Sequence, residues 1–153
     1  MDPFTNNSKR AKEAYKIEIS LQKQIPIYLT KKPVTIGDHL RRRRLELGLH
    51  QKDVAIRIGV THSTIWNWEH GWTITLLCMP KVIKFLGYNP IPWPEDLIGR
   101  LAWYKQVNGL NLNRLGEEMG RDPEQLADWL MKRHRPCHRN REVIEKFLAE
   151  KYD

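Results

Sequence analysis

The sequence lacks the features that mark several common classes of protein. Its 153 residues contain no run of eighteen apolar residues and no signal-like opening, so we expect neither a transmembrane helix nor a signal peptide. The two cysteines, Cys78 and Cys137, favour reduced thiols over a disulfide framework. His134, Cys137 and His138 lack the paired spacing of a complete zinc site. With no nucleophile beside a base and no glycine-rich phosphate loop, we expect no enzymatic activity, no metal, no cofactor and no evident small-molecule ligand.

Basic residues outnumber acidic ones, and they are unevenly distributed. The chain has 26 Lys and Arg against 18 Asp and Glu, a formal charge of +8, which favours a polyanionic partner such as DNA, RNA or an acidic membrane surface. Residues 1–34 and 35–91 each carry a net charge of +4, whereas residues 92–153 are balanced. The excess charge therefore lies in the first 91 residues.

A repeat with a constant offset of 61 residues, without gaps, organises the rest of the chain. The repeated pairs are Gly48-Leu49 with Gly109-Leu110, Gly59 with Gly120, Trp68 with Trp129, and Val82-Ile83 with Val143-Ile144. The periodicity within each copy is helical, so we predict an all-α protein with two small bundles, at residues 35–91 and 92–153. Three prolines within residues 89–94 predict a stiff linker between the bundles.

Residues 1–34 are predicted to form a basic, extended N-terminal arm. Two short alternating runs, at residues 17–21 and 25–29, favour extended chain, and Pro26 argues against a central strand. Two interpretations stay open: a flexible, solvated arm, or an arm that contacts the DNA backbone or minor groove.

The first bundle contains a helix, a tight turn and a second helix with a polar outer face. A helix from Gln51 to Ile58 is followed by Gly59, which allows a sharp turn, and Thr61 is suited to cap the next helix. Within that helix Ile65 and Trp68 are predicted to face the core. The outward residues are then His62, Ser63, Trp66 and Asn67.

These residues resemble the phage-repressor/Cro-type (XRE-like) helix-turn-helix family. The matching positions are Gln51, Ala55, Gly59-Val60, Thr61, Ile65, Trp68-Glu69 and Gly71, and residues 92–149 resemble the family more loosely, as a degenerate copy. The resemblance implies that helix 61–69 lies in the major groove of DNA. By the same resemblance Arg44 and Glu69 form an ion pair that orients this helix.

The resemblance also assigns contacts to individual residues. The base-reading positions are Thr61, His62, Ser63, Thr64 and Asn67. The phosphate-contacting positions are His50, Gln51, His70 and Thr73, and within the arginine run Arg41 and Arg42 are expected to add positive potential near phosphate.

The second copy gives a mixed electrostatic pattern. Its base-facing positions include Glu124 and Asp128, which repel phosphate, but a basic run follows at once. The DNA candidates there are Glu124, Asp128, Lys132, Arg133, Arg135 and Arg139. The alternative is a purely structural copy beside a charged loop. Lys105 and Leu130 replace the Arg44–Glu69 pair, so no ion pair is expected at that place.

Together these features predict a sequence-specific, double-stranded DNA-binding protein. We expect a cytoplasmic, nucleoid-associated transcriptional regulator of repressor type, with no membrane association, and a homodimer is one open arrangement. The alternative is a mobile-element or DNA-architectural accessory protein whose second copy mediates dimerisation or partner binding. An RNA-binding module is a third interpretation.

Overall fold

The computed structural model describes residues 31–152 of the chain. The chain divides at Val34–Thr35, and the part from Thr35 onward forms one compact unit. The two alternating runs of the predicted N-terminal arm lie outside the described residues.

Eight α-helices and no strands occur within residues 31–152, which confirms the predicted all-α class. The first set is α1 Ile36–Glu46, α2 Gln51–Ile58, α3 His62–Glu69, a 3₁₀ turn Leu76–Cys78, and α4 Met79–Leu86. The second set is α5 Leu97–Val107, α6 Leu112–Met119, α7 Pro123–Leu130 and α8 His138–Tyr152. Helices α5, α6 and α7 begin and end 61 residues after α1, α2 and α3, from Ile36 to Leu97 onward. None of the described helices is long and apolar enough to cross a bilayer.

Polar side chains fix where the helices begin. The Thr35 hydroxyl accepts a hydrogen bond from Asp38 N at 3.1 Å, and the Asp38 carboxylate accepts one from Thr35 N at 2.8 Å. This reciprocal pair satisfies two backbone donors at the start of α1. Asp122 caps α7: its Oδ1 accepts hydrogen bonds from Glu124 N at 2.8 Å and from Gln125 N at 3.2 Å.

Each set of helices surrounds its own hydrophobic core. In the first core Ile65 is fully buried and Trp68 is 3% exposed, as their spacing predicts. In the second core Leu126 and Trp129 occupy the matching places. Ile36, Leu40 and Leu47 are spaced for one helical face, which predicts a buried Leu47, but Leu47 is 42% exposed. That prediction is wrong because α1 ends at Glu46, so Leu47 lies at the cap and leaves the helical face.

The linker and one close contact join the two cores. The Trp103 indole nitrogen donates to the carbonyl of Ile91 at 3.0 Å, and the Trp93 ring packs edge-on against Trp103 at 4.7 Å. Gly109 lies against Leu76 and Pro80, where a Cβ would come 2.9 Å from the Leu76 carbonyl oxygen. Trp103 is half-buried, and its contacts with Ile91 and Trp93 hold the linker against α5.

Candidate nucleic-acid interface

The turn between α2 and α3 contains a glycine, Gly59, in a left-handed backbone conformation. Gly59 adopts φ 80° and ψ 45°, a left-handed conformation that a side chain would disfavour. Two residues later the Thr61 hydroxyl accepts from Thr64 N at 3.2 Å and caps α3. The turn therefore fixes the direction in which α3 leaves α2.

Helix α3 buries one side and exposes the polar side. His62 and Ser63 are exposed, Thr64 and Asn67 are half-buried, and Ile65 and Trp68 are in the core. Thr61 Oγ1 lies 3.0 Å from Ser63 Oγ and 2.8 Å from Thr64 Oγ1. These hydroxyls form a small network at the start of α3, so Thr61 already has structural partners whether or not it also reads a base.

A buried carboxylate ties α3 to the two preceding helices. Glu69, whose side chain is 1% exposed, receives two hydrogen bonds from Arg44, from Nε at 2.6 Å and from Nη2 at 2.7 Å. The Gln51 amide also donates to Glu69 Oε2 at 2.9 Å, and Arg44 Nη1 donates to the Leu49 carbonyl. Bidentate, charge-assisted pairing of this kind restricts both side chains strongly. The structure thus gives Gln51, expected at phosphate, an additional role in holding α3.

The amino ends of α2 and α3 converge on a shallow groove of about 560 Å³. Its lining includes His50, Gln51, Lys52 and His62. Helix amino ends carry partial positive charge, and Lys52 adds a full one, so the groove suits an anionic oxygen. The sequence did not predict Lys52 as a phosphate contact. Its position beside Gln51, at the start of α2, is the feature from which it could have been predicted.

Aromatic side chains mark the carboxyl end of α3. The His70 ring stacks on Trp66 with centroids 3.9 Å apart, and its Nδ1 lies 2.7 Å from the Trp66 carbonyl oxygen. Trp72 is 66% exposed, and Thr73 is exposed in the loop that follows. This stack supplies the partner that an outward tryptophan needs.

The arginine run of α1 is partly neutralised by its own helix. Arg42 Nε bonds Glu46 Oε1 at 3.0 Å, and Arg43 Nη1 lies 3.7 Å from Glu46 Oε2. Arg41 is half-buried. Exposed pairs such as Arg42–Glu46 contribute little to stability, but they reduce the positive potential that Arg42 offers to phosphate.

In the second set, the acidic face of α7 is partly covered by the loop that follows it. Asp128 pairs with Arg133 at 3.5 Å and with His134 at 3.3 Å. Glu124 is exposed at the start of the helix. The remaining candidates Lys132, Arg135 and Arg139 are also exposed, with Arg139 in the first turn of α8.

At the place that matches the Arg44–Glu69 pair, Leu130 packs against the second core and Lys105 is half-buried. In the same set the Tyr104 hydroxyl donates to Glu118 Oε2 at 2.7 Å, in a part-buried hydrogen bond. Burial, together with that carboxylate, raises the pKa of Tyr104. Within the described residues, no group of three His, Cys, Asp or Glu side chains could hold a metal ion.

Comparison with family models places this geometry in a known class. One family, described as a helix-turn-helix domain, matches residues 35–74, from the cap of α1 to the loop after α3. Residues 35–74 are therefore similar to helix-turn-helix domains. The matched range includes the capped α3 and the Arg44–Glu69 pair. No curated protein and no solved structure matches the chain.

Proposed function

We propose that this protein binds double-stranded DNA in a sequence-dependent manner, with α3 in the major groove. The observation that carries the proposal is the fixed orientation of α3. Ile65 and Trp68 anchor its inner side, and Arg44 and Gln51 hold its last residue, Glu69. A rigid helix with a free polar side is what base readout requires.

The proposed base-reading residues are those on and beside the polar side of α3. Asn67 can pair in two-pronged fashion with adenine, and His62 can donate to an acceptor edge of guanine. The full set is Thr61, His62, Ser63, Thr64 and Asn67. Among them, His62 and Ser63 are the exposed readers at the amino end, whereas Asn67 lies one turn further along.

The proposed phosphate contacts surround α3 at both ends. At the amino end, the groove formed with α2 offers His50, Gln51 and Lys52. At the carboxyl end, His70 and Thr73 are exposed, and Arg41 and Arg42 add to the field from α1. Such contacts supply affinity and register, and the base contacts supply sequence preference.

Within this proposal the domain belongs to the Cro and phage-repressor type, and α5–α8 form a second, degenerate copy. The shared helix bounds at an offset of 61 residues support a tandem arrangement. Lys132, Arg133, Arg135 and Arg139 are the proposed backbone contacts of the second copy, with Glu124 and Asp128 limiting which bases it tolerates. The biological role we propose is transcriptional regulation by occupying a promoter, in the cytoplasm and on the nucleoid.

A second candidate function rests on the second set of helices. Glu124 and Asp128 put acidic groups on α7, and the neighbouring Met131 is 59% exposed. This surface suits a protein partner or another copy of the chain better than it suits phosphate. A DNA-architectural or mobile-element accessory protein would use the first set for DNA and the second for assembly. Light scattering of the free protein tests the second candidate, since self-assembly through α7 predicts dimers without DNA and a monomer would contradict it.

The decisive experiment selects bound fragments from a pool of random duplex DNA. We expect one enriched motif, or two at a fixed spacing, and binding that weakens steeply as salt rises. Single-stranded RNA should compete poorly, because its bases are not displayed in a major groove that α3 can enter. Recovery of fragments with no common motif, or stronger competition by the RNA, would overturn the proposal.

A further inference from the structure

A cavity of about 720 Å³ lies in the second set of helices, away from α3. Its apolar wall comes from the start of α5, the end of α7 and the loop before α8, through Leu97, Ile98, Trp129 and Pro136. Cavities of this size with mainly apolar walls are typical of small-molecule sites.

In the first set the equivalent positions pack closely, and two of them carry different residues in the second set. Gly37 brings the start of α1 against the end of α3, where a Cβ would collide with the Trp68 carbonyl oxygen. The residue 61 positions later is Ile98, whose side chain cannot fit such a contact and lines the cavity instead. Ile74, 7% exposed in the first core, is replaced by the exposed Arg135. The second set therefore lacks both of these packing contacts.

Three full positive charges face this apolar wall. Lys132, Arg135 and Arg141 line the cavity, and none of them forms an ion pair with any residue in the range 31–152. Asp96 contributes a carboxylate to the lining, and its Oδ1 already accepts a hydrogen bond from Gly99 N at 2.8 Å. His134 is directed to Asp128. The uncompensated charge of the lining is positive.

We propose that this cavity binds an organic anion that has an apolar body, such as an aromatic or medium-chain carboxylate. The apolar body lies against Ile98 and Trp129, and the carboxylate accepts hydrogen bonds from Arg135 and Lys132. Hydrogen bonds between charged groups are stronger than those between neutral groups. A DNA phosphate would use the cations but would leave the apolar wall unused. Lys132 and Arg135 are also among the proposed DNA backbone contacts, but the cavity is separate from α3 and its test uses the protein without DNA.

The experiment titrates full-length protein with two probes, 2-naphthoate and decanoate, by calorimetry and by amide and indole NMR. We expect saturable one-to-one binding of at least one probe, with resonance shifts centred on Ile98 and the Trp129 indole. The neutral 2-naphthylmethanol, which has the same ring system, should bind about tenfold more weakly because it lacks the charge-assisted hydrogen bonds.

Three variants distinguish specific binding in the cavity from nonspecific electrostatic attraction of anions. Arg135→Gln should weaken binding about tenfold by removing one charged donor. Ile98→Phe should weaken it by filling the cavity without changing charge. The matched control is Arg139→Gln, since Arg139 is an exposed cation of the same segment that does not line the cavity. Saturable binding of neither probe would overturn the proposal. So would equal binding of the neutral compound, or an equal loss in the Arg139→Gln variant.

Discussion

At the residue scale, Glu69 has the most demanding environment in the first set of helices. Its carboxylate is almost fully buried and is satisfied by Arg44 and Gln51, which lie on two other helices. Burying a charge is costly unless it is paired, so each partner depends on the other. The second set of helices avoids the cost with Leu130, which packs as an apolar residue.

We predict that Glu69→Leu lowers the free energy of unfolding by about 3 kcal/mol, because it leaves the Arg44 guanidinium half-buried without its partner. Urea denaturation followed by circular dichroism gives the value. The double variant Arg44→Lys with Glu69→Leu, which copies the second set, should recover part of the loss. A double variant as unstable as the single one would show that the pair is not coupled in this way.

Most of the residue-scale features of α3 could be predicted from sequence, because caps and core positions follow local rules. The Thr61 cap and the buried Ile65 and Trp68 are of this kind. The bond from Gln51 to Glu69 and the stack of His70 on Trp66 could not be predicted in the same way. Both depend on the rotamers of long side chains, which spacing alone does not determine.

At the element scale, helix bounds were predictable where a polar cap begins a helix and a glycine ends it. Helix α2 runs from Gln51 to Ile58 as predicted, since Gly59 stops it. The exposure of Leu47 could not be predicted from periodicity, because α1 ends at Glu46, one residue before it. The cavity beside α5 was not predicted either. The 61-residue offset pairs Ile98 with Gly37, but it does not show that the Ile98 side chain prevents the close packing seen at Gly37.

Helix α1 is also joined to the segment after α4 by a titratable contact. His39 Nδ1 lies 2.7 Å from the Tyr88 hydroxyl, and burial lowers the pKa of His39, with Arg42 acting in the same direction and Asp38 opposing it. The folded state therefore favours the neutral imidazole, whereas the unfolded chain takes up a proton near pH 6.5.

The predicted consequence is a loss of stability as the pH falls below about 6.5, with the full contribution of His39 present above that value. Thermal unfolding between pH 5.5 and 8 measures it. The variant His39→Gln should flatten this dependence. The control is His138→Gln, at a histidine whose side chain is 90% exposed. An unchanged pH dependence in the His39 variant would contradict the assignment.

At the scale of the whole molecule, the close approach at Gly109 couples the two sets of helices. Gly109 has φ 65° and touches Leu76 and Pro80 of the first set, whereas Gly120, with φ 61°, has open space where a Cβ would lie. The two glycines thus share a backbone conformation and differ in their neighbours.

We predict that Gly120→Ala costs about 1–2 kcal/mol, the penalty of a left-handed conformation for a residue with a side chain. Gly109→Ala should cost about 1–3 kcal/mol more, because the added methyl group must displace the neighbouring segment. Chemical denaturation followed by tryptophan fluorescence compares the two variants. Equal losses would mean that the contact between the sets contributes nothing.

The most direct test of the central claim measures Asn67→Ala against every single-base variant of the selected DNA site. If α3 reads base edges, the variant loses roughly 1–3 kcal/mol at one base pair and relaxes the preference there, while the preferences at other positions stay as they are. A uniform loss of affinity across all the sites, with the base preferences unchanged, would contradict readout by α3.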